Sequence, residues 1–164
     1  MTNNKNVGVP INTTSPKMKV LNQFIKDLSF ENIAAQNGIS DQNVKPDIQV
    51  SIGLEGKKRQ AENHYDLIIK VSVSSKTPKS EEVIFILELE YGGIFEITNI
   101  ASEQLQPYLL VECPRIMFPY LRRIISDVTR DGGFPPLNLE QIDFLSMYQA
   151  GVERKAIKLS LIHI

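Results

Sequence analysis

Tryptophan is missing from this sequence, cysteine occurs once and histidine twice. A lone thiol, Cys113, cannot close an internal disulfide, and with only His64 and His163 beside it there is no ligand set for a zinc cluster. An excess of either charge is also lacking: 18 Lys and Arg stand against 19 Asp and Glu. No global field therefore draws nucleic acid or an anionic membrane, and any electrostatic role must be local. Long apolar runs are absent too, and nothing approaches the roughly 18 residues that a membrane-spanning helix needs. The segment from Met1 to Lys19 is rich in Asn, Thr and Lys and lacks the apolar stretch and cleavage pattern of a signal peptide. It reads as a disordered arm over residues 1–20, on a chain expected to stay in a reducing cytosol without inserting into a membrane.

What is present suits one domain: 164 residues with 42% hydrophobic content are enough to build a core. Four segments alternate with period two, which in a strand puts every second side chain on one face. In FIKDLSFE, Phe24 to Glu31, the alternation sets Lys26, Leu28 and Phe30 on one side and Ile25, Asp27, Ser29 and Glu31 on the other. From Asp47 to Glu55 the apolar set is Ile48, Val50, Ile52 and Leu54. From Tyr65 to Ser74 it is Tyr65, Leu67, Ile69, Val71 and Val73, with EGKKRQAENH as the charged loop that closes this hairpin. From Glu82 to Tyr91, Val83, Phe85, Leu87, Leu89 and Tyr91 oppose Glu82, Ile84, Ile86, Glu88 and Glu90. Gly92 and Gly93 are expected to break this strand.

Strands joined by short polar loops read as an antiparallel sheet with one apolar face to cover. The period then changes. Leu121, Ile124, Ile125 and Val128 stand at helical spacing, opposite Arg122, Arg123, Ser126, Asp127 and Arg130. Pro114 and Pro119 fit an early turn or kink, and Gly132 with Gly133 ends the helix. A second helix is expected from Asn138 or Glu140 through Phe144, Met147 and Tyr148. The fold class is α+β, with the helices packed on one face of a four-stranded antiparallel sheet. Two helices cannot cover four strands of this composition, so apolar surface should remain, and such a patch implies a partner, a ligand or self-association.

No convergent set of nucleophile, base, paired carboxylates or metal ligands is legible, so no enzyme and no cofactor are expected. Cys113 lies among apolar residues as a packed thiol, and His64 opens a strand as plain surface. Glu88 and Glu90 share a strand face, as solvated acids commonly do. Gly92 and Gly93 lack the context of a phosphate-binding loop. No basic patch interleaves with aromatics, which leaves nucleic acid without a carrier.

The strings IKDLSFEN (Ile25 to Asn32), YGGIFEI (Tyr91 to Ile97) and CPRIMFPYLRRIISDVTRDGGFPPLNLEQIDF (Cys113 to Phe144) resemble the SecB family of bacterial protein-export chaperones. The resemblance covers roughly residues 21–149, in family order. It implies a chaperone domain over 21–150, assembled as a homotetramer, a dimer of dimers. Unfolded preproteins would lie along apolar grooves without ATP, with Phe24, Ile48, Val50, Ile52 and Tyr148 as groove residues. Helix packing between dimers would bury Leu121, Ile124, Ile125 and Val128. The motor ATPase SecA would dock on an acidic sheet face at Asp27, Glu31, Ile86 and Glu88, positions that the alternation already turns outward.

Family members often end in a flexible acidic or polar tail. Residues 151–164, GVERKAIKLSLIHI, are instead basic and then apolar. LSLIHI is also the translation of a transposase end sequence used in sequencing adapters, and the expectation is that the reading frame runs into adapter before Ile164. Two other roles fit the same fold: a dedicated chaperone of a toxin–antitoxin pair, and a carrier of a small apolar ligand. Asp27, Glu31 and Glu88 favour the export role, because an antitoxin chaperone need not meet the motor.

Overall fold

A computed structural model describes residues 15–38 and 45–154, and the backbone of 158–160. Strand β1 spans Lys17–Asn32, a single-turn helix α1 spans Ile33–Asn37, and β2, β3 and β4 span Asp47–Lys58, His64–Lys76 and Val83–Thr98. Helix α2 (Ser102–Pro107) runs through a π-helical segment (Tyr108–Glu112) into the long helix α3 (Cys113–Asp131). Helix α4 (Phe144–Arg154) and a short strand β5 (Lys158–Ser160) follow. The sheet order is β1-β4-β3-β2-β5, antiparallel among the first four, with β5 parallel to β2 at Glu55–Lys57. This is the expected four-stranded α+β architecture with a small strand added.

Cross-strand partners point to the same side of a sheet, so the register assigns every face. On β3 and β4, Tyr65, Leu67, Ile69, Val71, Val73, Phe85, Leu87, Leu89, Tyr91, Phe95 and Ile97 all turn inward and are buried. Against them pack Leu109, Leu110, Met117, Leu121, Ile125 and Phe144 from the helices. The core thus lies between the central strands and the helical layer.

The sequence reading needs four corrections. First, β1 is not a continuous alternation: register shifts fall at Val20/Asn22 and at Ile25/Asp27. A bulge inserts a residue without a partner and reverses the facing of everything beyond it. Ile25, opposite Tyr91, therefore turns to the helix side with Leu28 and Phe30, and parts from Asp27, Ser29 and Glu31. The strand also begins at Lys17, inside the segment expected to be a disordered arm.

Second, Gly92 and Gly93 do not break β4, which continues to Thr98. They are sites of close approach. A Cβ on Gly92 would stand 2.7 Å from the ring of Phe24, and one on Gly93 would stand 2.7 Å from Phe95 and 3.0 Å from Met117 Sδ. Only glycine leaves room for side chains on both faces of the strand.

Third, α4 starts at Phe144, not near Asn138 or Glu140. Asp143 supplies the start, its carboxylate accepting the Ser146 N–H at 3.1 Å and the Ser146 hydroxyl at 2.8 Å. The preceding segment is pinned by Thr129, whose buried hydroxyl donates to the Ile125 carbonyl and accepts from Leu137 N–H.

Fourth, the helical layer opens well before α3, with α2 and the π-helical segment. Proline has no N–H to donate, and its ring excludes the carbonyl four residues back. The widened turn stands directly ahead of Pro114, where a regular helix would have met that clash. Gly132 and Gly133 do end α3, with the Gly132 N–H donating to the Val128 carbonyl and Gly133 at φ 88°.

Candidate functional site

The helical layer covers the middle of the sheet and leaves both flanks open. On β2, Leu54 is buried and Ile52 half-buried, whereas Ile48 and Val50 expose 39% and 40% of their surface. All four share the helix side, opposite Ile69, Val71, Ser75 and Val73 in turn for Leu54, Ile52, Ile48 and Val50. On β1, Val20, Ile25 and Leu28 also turn to the helix side and expose 38%, 47% and 36%. Large aliphatic side chains at such exposure, aligned along two strands, are the uncovered apolar surface that the composition required.

Ser75, directly across from Ile48, is buried, and its hydroxyl has no hydrogen-bond partner among the described residues. Tyr148, on α4, is half-buried and packs against the same core as Ile52. Phe24 does not join this group. It lies opposite Gly92 and against Ile68, on the other face of the sheet from Ile48, Val50 and Ile52.

The outward face reads row by row across β1, β4, β3 and β2. Asp27, Glu90, Lys70 and Gly53 form one row, Ser29, Glu88, Ser72 and Ser51 the next, and Glu31, Ile86, Ser74 and Gln49 the third. Asp27, Glu31, Ile86 and Glu88 are thus brought together, as the alternation anticipates. Lys70 Nζ lies 3.4 Å from both Glu55 and Glu90, and these carboxylates raise its pKa. Glu90 thus shares one cation with Glu55. Among the described residues no cation pairs with Asp27, Glu31 or Glu88, so their negative charge faces solvent uncompensated. At the far end of the same face, His64 Nε2 is 3.2 Å from Glu96 and Arg59 is 2.7 Å from Asp66.

Of the helix stripe, Leu121 and Ile125 are fully buried against the sheet of their own subunit. They offer no surface of their own on this subunit, so of the expected interface stripe only Ile124 and Val128, both half-buried, reach the margin of the core. The exposed side of α3 carries Tyr120, Arg122, Arg123 and Arg130. Cys113 is buried 3.4 Å from Met18 Sδ, and burial pushes its thiol pKa up, away from the reactive thiolate. Among the described residues no group of three His, Cys, Asp or Glu could hold a metal, and no helix is long and apolar enough to cross a membrane.

The sequence reading missed the β1 flank, because the bulge that aims Ile25 inward leaves no mark on period two. Val20, exposed on this flank, falls inside the segment read as an arm, and exposed Leu21 is the first residue after it. The alternation of Val20 with Met18 was the one available signal.

The family model described as preprotein translocase subunit SecB matches residues 12–155. The chain is 55% identical over 141 residues to the protein-export protein SecB of Roseobacter denitrificans, covering 86% of this chain and 84% of that one. With the protein-export protein SecB of Jannaschia sp. it shares 56% over 147 residues, 87% of this chain and 84% of the other. Among solved structures, the SecB-like chaperone Rv1957 of Mycobacterium tuberculosis, in complex with a ChAD peptide from the HigA1 antitoxin, matches with a TM-score of 0.63. That match covers 76% of this chain and 90% of the other at 13% identity, a likeness of fold. With a matching family model over most of its length and relatives above half identity, the chain belongs to the SecB family of protein-export proteins.

Proposed function

We propose that this protein is an ATP-independent holding chaperone that binds unfolded preproteins in the cytoplasm and delivers them to the SecA motor of the translocase. The supporting observation is the pair of open apolar flanks, above all Ile48 and Val50 on β2, exposed beside a buried core. A groove of Ile48, Val50, Ile52 and Tyr148 selects by hydrophobicity and needs no particular client sequence. Fully burying one such side chain is worth about 1.5–3 kcal/mol, and these are already partly covered, so each contact is weaker than that. Several contacts along one extended client add up through multivalency. Holding of this kind requires no catalysis.

The acidic face of Asp27, Glu31, Ile86 and Glu88 is the proposed docking surface for SecA, since uncompensated carboxylates around one apolar side chain suit a cationic partner surface. A homotetramer accounts for the remaining exposed apolar groups: Tyr120 on the outer side of α3, with Ile124 and Val128 at its margin, would meet sister helices, and the β1 flank would be shared between subunits. Size-exclusion chromatography with light scattering, with and without a reduced, unfolded client, tests the reading. The expected result is a tetramer that keeps the client soluble, and an Ile48→Asp, Val50→Asp variant that stays folded and tetrameric but lets the client aggregate. A monomer that ignores the client overturns it.

A further inference from the structure

The outward face has an apolar centre that the charges alone do not reveal. Phe24 on β1, Gly92 on β4 and Ile68 on β3 form one row across three strands. The Phe24 ring lies over Gly92, so close that a Cβ there would stand 2.7 Å from Cε2 and Cζ and 3.0 Å from Ile68 Cδ1. Ile68 is 9% exposed although it faces away from the helices, because the neighbouring ring and strands cover it. The next row along begins with Asp27 and continues with Glu90 and Lys70. A half-buried aromatic ring on a glycine floor therefore borders the uncompensated carboxylate of Asp27 directly, with Glu88 and Glu31 one and two rows further along the same face.

The bulge at Lys26 creates this adjacency. Without it Phe24 and Asp27 would point to opposite faces, since three positions of a regular strand separate them. One irregular residue thus places an aromatic anchor beside an acidic rim. Buried aromatic side chains ringed by charges are the usual centres of protein interfaces, where the ring supplies affinity and the rim supplies orientation and encounter rate.

We propose that Phe24 is an anchor residue of the acidic docking face and not a client-groove residue, fitted to a partner segment that presents an apolar side chain next to cations. The proposal rests on the reading of this face as the SecA docking surface. The glycine at position 92 holds the ring in place: any larger residue displaces it without touching a charge.

The test compares Phe24→Ala, Gly92→Ala and the charge-reversed Asp27→Lys, Glu88→Lys variant in titrations against SecA, at low and moderate salt. Aggregation suppression of a reduced, unfolded client is measured in parallel. Phe24→Ala is expected to weaken SecA binding roughly tenfold or more with its salt dependence unchanged, while client holding survives. Gly92→Ala should weaken SecA binding in the same direction, and Phe24→Leu should restore part of the loss and show that the fold is intact. Charge reversal should weaken binding and flatten its salt dependence. If charge reversal acts but Phe24→Ala leaves SecA binding unchanged, the anchor is refuted and the docking face stands. If Phe24→Ala impairs client holding alone, Phe24 belongs to the groove and the proposal is overturned. If neither variant affects SecA binding, the docking-face reading falls with it.

Discussion

Asn32 Nδ2 donates to the Gly132 carbonyl at 2.9 Å, tying the end of β1 to the end of α3 across a hundred residues of sequence. The same side chain accepts the Ala35 N–H through Oδ1 at 2.9 Å and so caps α1. Close by, Phe30, Phe85 and Phe134 meet in tilted and edge-on pairs with ring centres 4.9 to 6.4 Å apart. Asn32→Ala removes both hydrogen bonds and should cost about 1–2 kcal/mol, read as a lower urea midpoint with an unchanged slope. Asn32→Asp keeps the cap but not the donor to Gly132, and should fall between the two.

Ile125 and Ile124 are neighbours with opposite expectations. Ile125 is fully buried, so Ile125→Ala should lose about 2–5 kcal/mol of stability through the cavity it leaves. Ile124→Ala, at the core margin, should cost less and should instead weaken subunit association. Thermal melts at two protein concentrations separate these effects, because only an association defect depends on concentration.

Asp143 carries a pH dependence. The Ser146 backbone N–H and the Ser146 hydroxyl, both donating to its carboxylate, hold its pKa below the usual aspartate value. A carboxyl whose folded pKa is lowered stabilises the fold above its unfolded pKa, and that stability fades as pH falls through the folded value. Helix α4 should therefore fray in acid below the ordinary aspartate range, visible as lost far-ultraviolet circular dichroism. Asp143→Ala should show the frayed α4 already at neutral pH, with no further acid loss from this site.

Ser75 should tolerate loss of its hydroxyl. Buried and unpartnered among the described residues, it costs desolvation with no hydrogen bond in return. Ser75→Ala is expected to leave stability unchanged or raise it by about 1 kcal/mol. A lowered denaturation midpoint would show that the hydroxyl has a partner in the assembled protein.

On the acidic face, the Asp27→Lys, Glu88→Lys variant should bind SecA on the order of tenfold more weakly at low salt, mainly through a slower association rate. Client holding should be untouched. Unchanged SecA affinity at moderate salt removes these residues from the site.

The faces of β3 and β4 were legible because both strands are central and alternate through every residue of the core, from Tyr65 to Val73 and from Phe85 to Leu89. The acidic cluster was legible for the same reason, since the stretch from Asp27 to Glu31 lies wholly beyond the bulge. Ile25 was placed on the wrong face because a bulge changes backbone geometry without a compositional sign. The glycine pair misled because close packing on both sides of a strand and a chain turn call for the same residue. Ser102–Glu112 went unread as a helix: no side chain caps α2, and Pro107 and Pro114 stand within and just after the segment. Its winding is set by the local clash that a regular helix would bring at Pro114 and by the burial of Leu109, Leu110 and Val111 in the core.

The two interruptions in β1 also bear on self-protection. A sixteen-residue outermost strand with an unbroken hydrogen-bonding rhythm would be a template on which extended chains could stack without limit. Offsets after Val20 and after Ile25 cut that rhythm into short stretches, so neither a stray copy nor a captured passenger finds a long matching edge. A protein that spends its working life among sticky, unfolded neighbours is thereby kept from seeding fibrils itself.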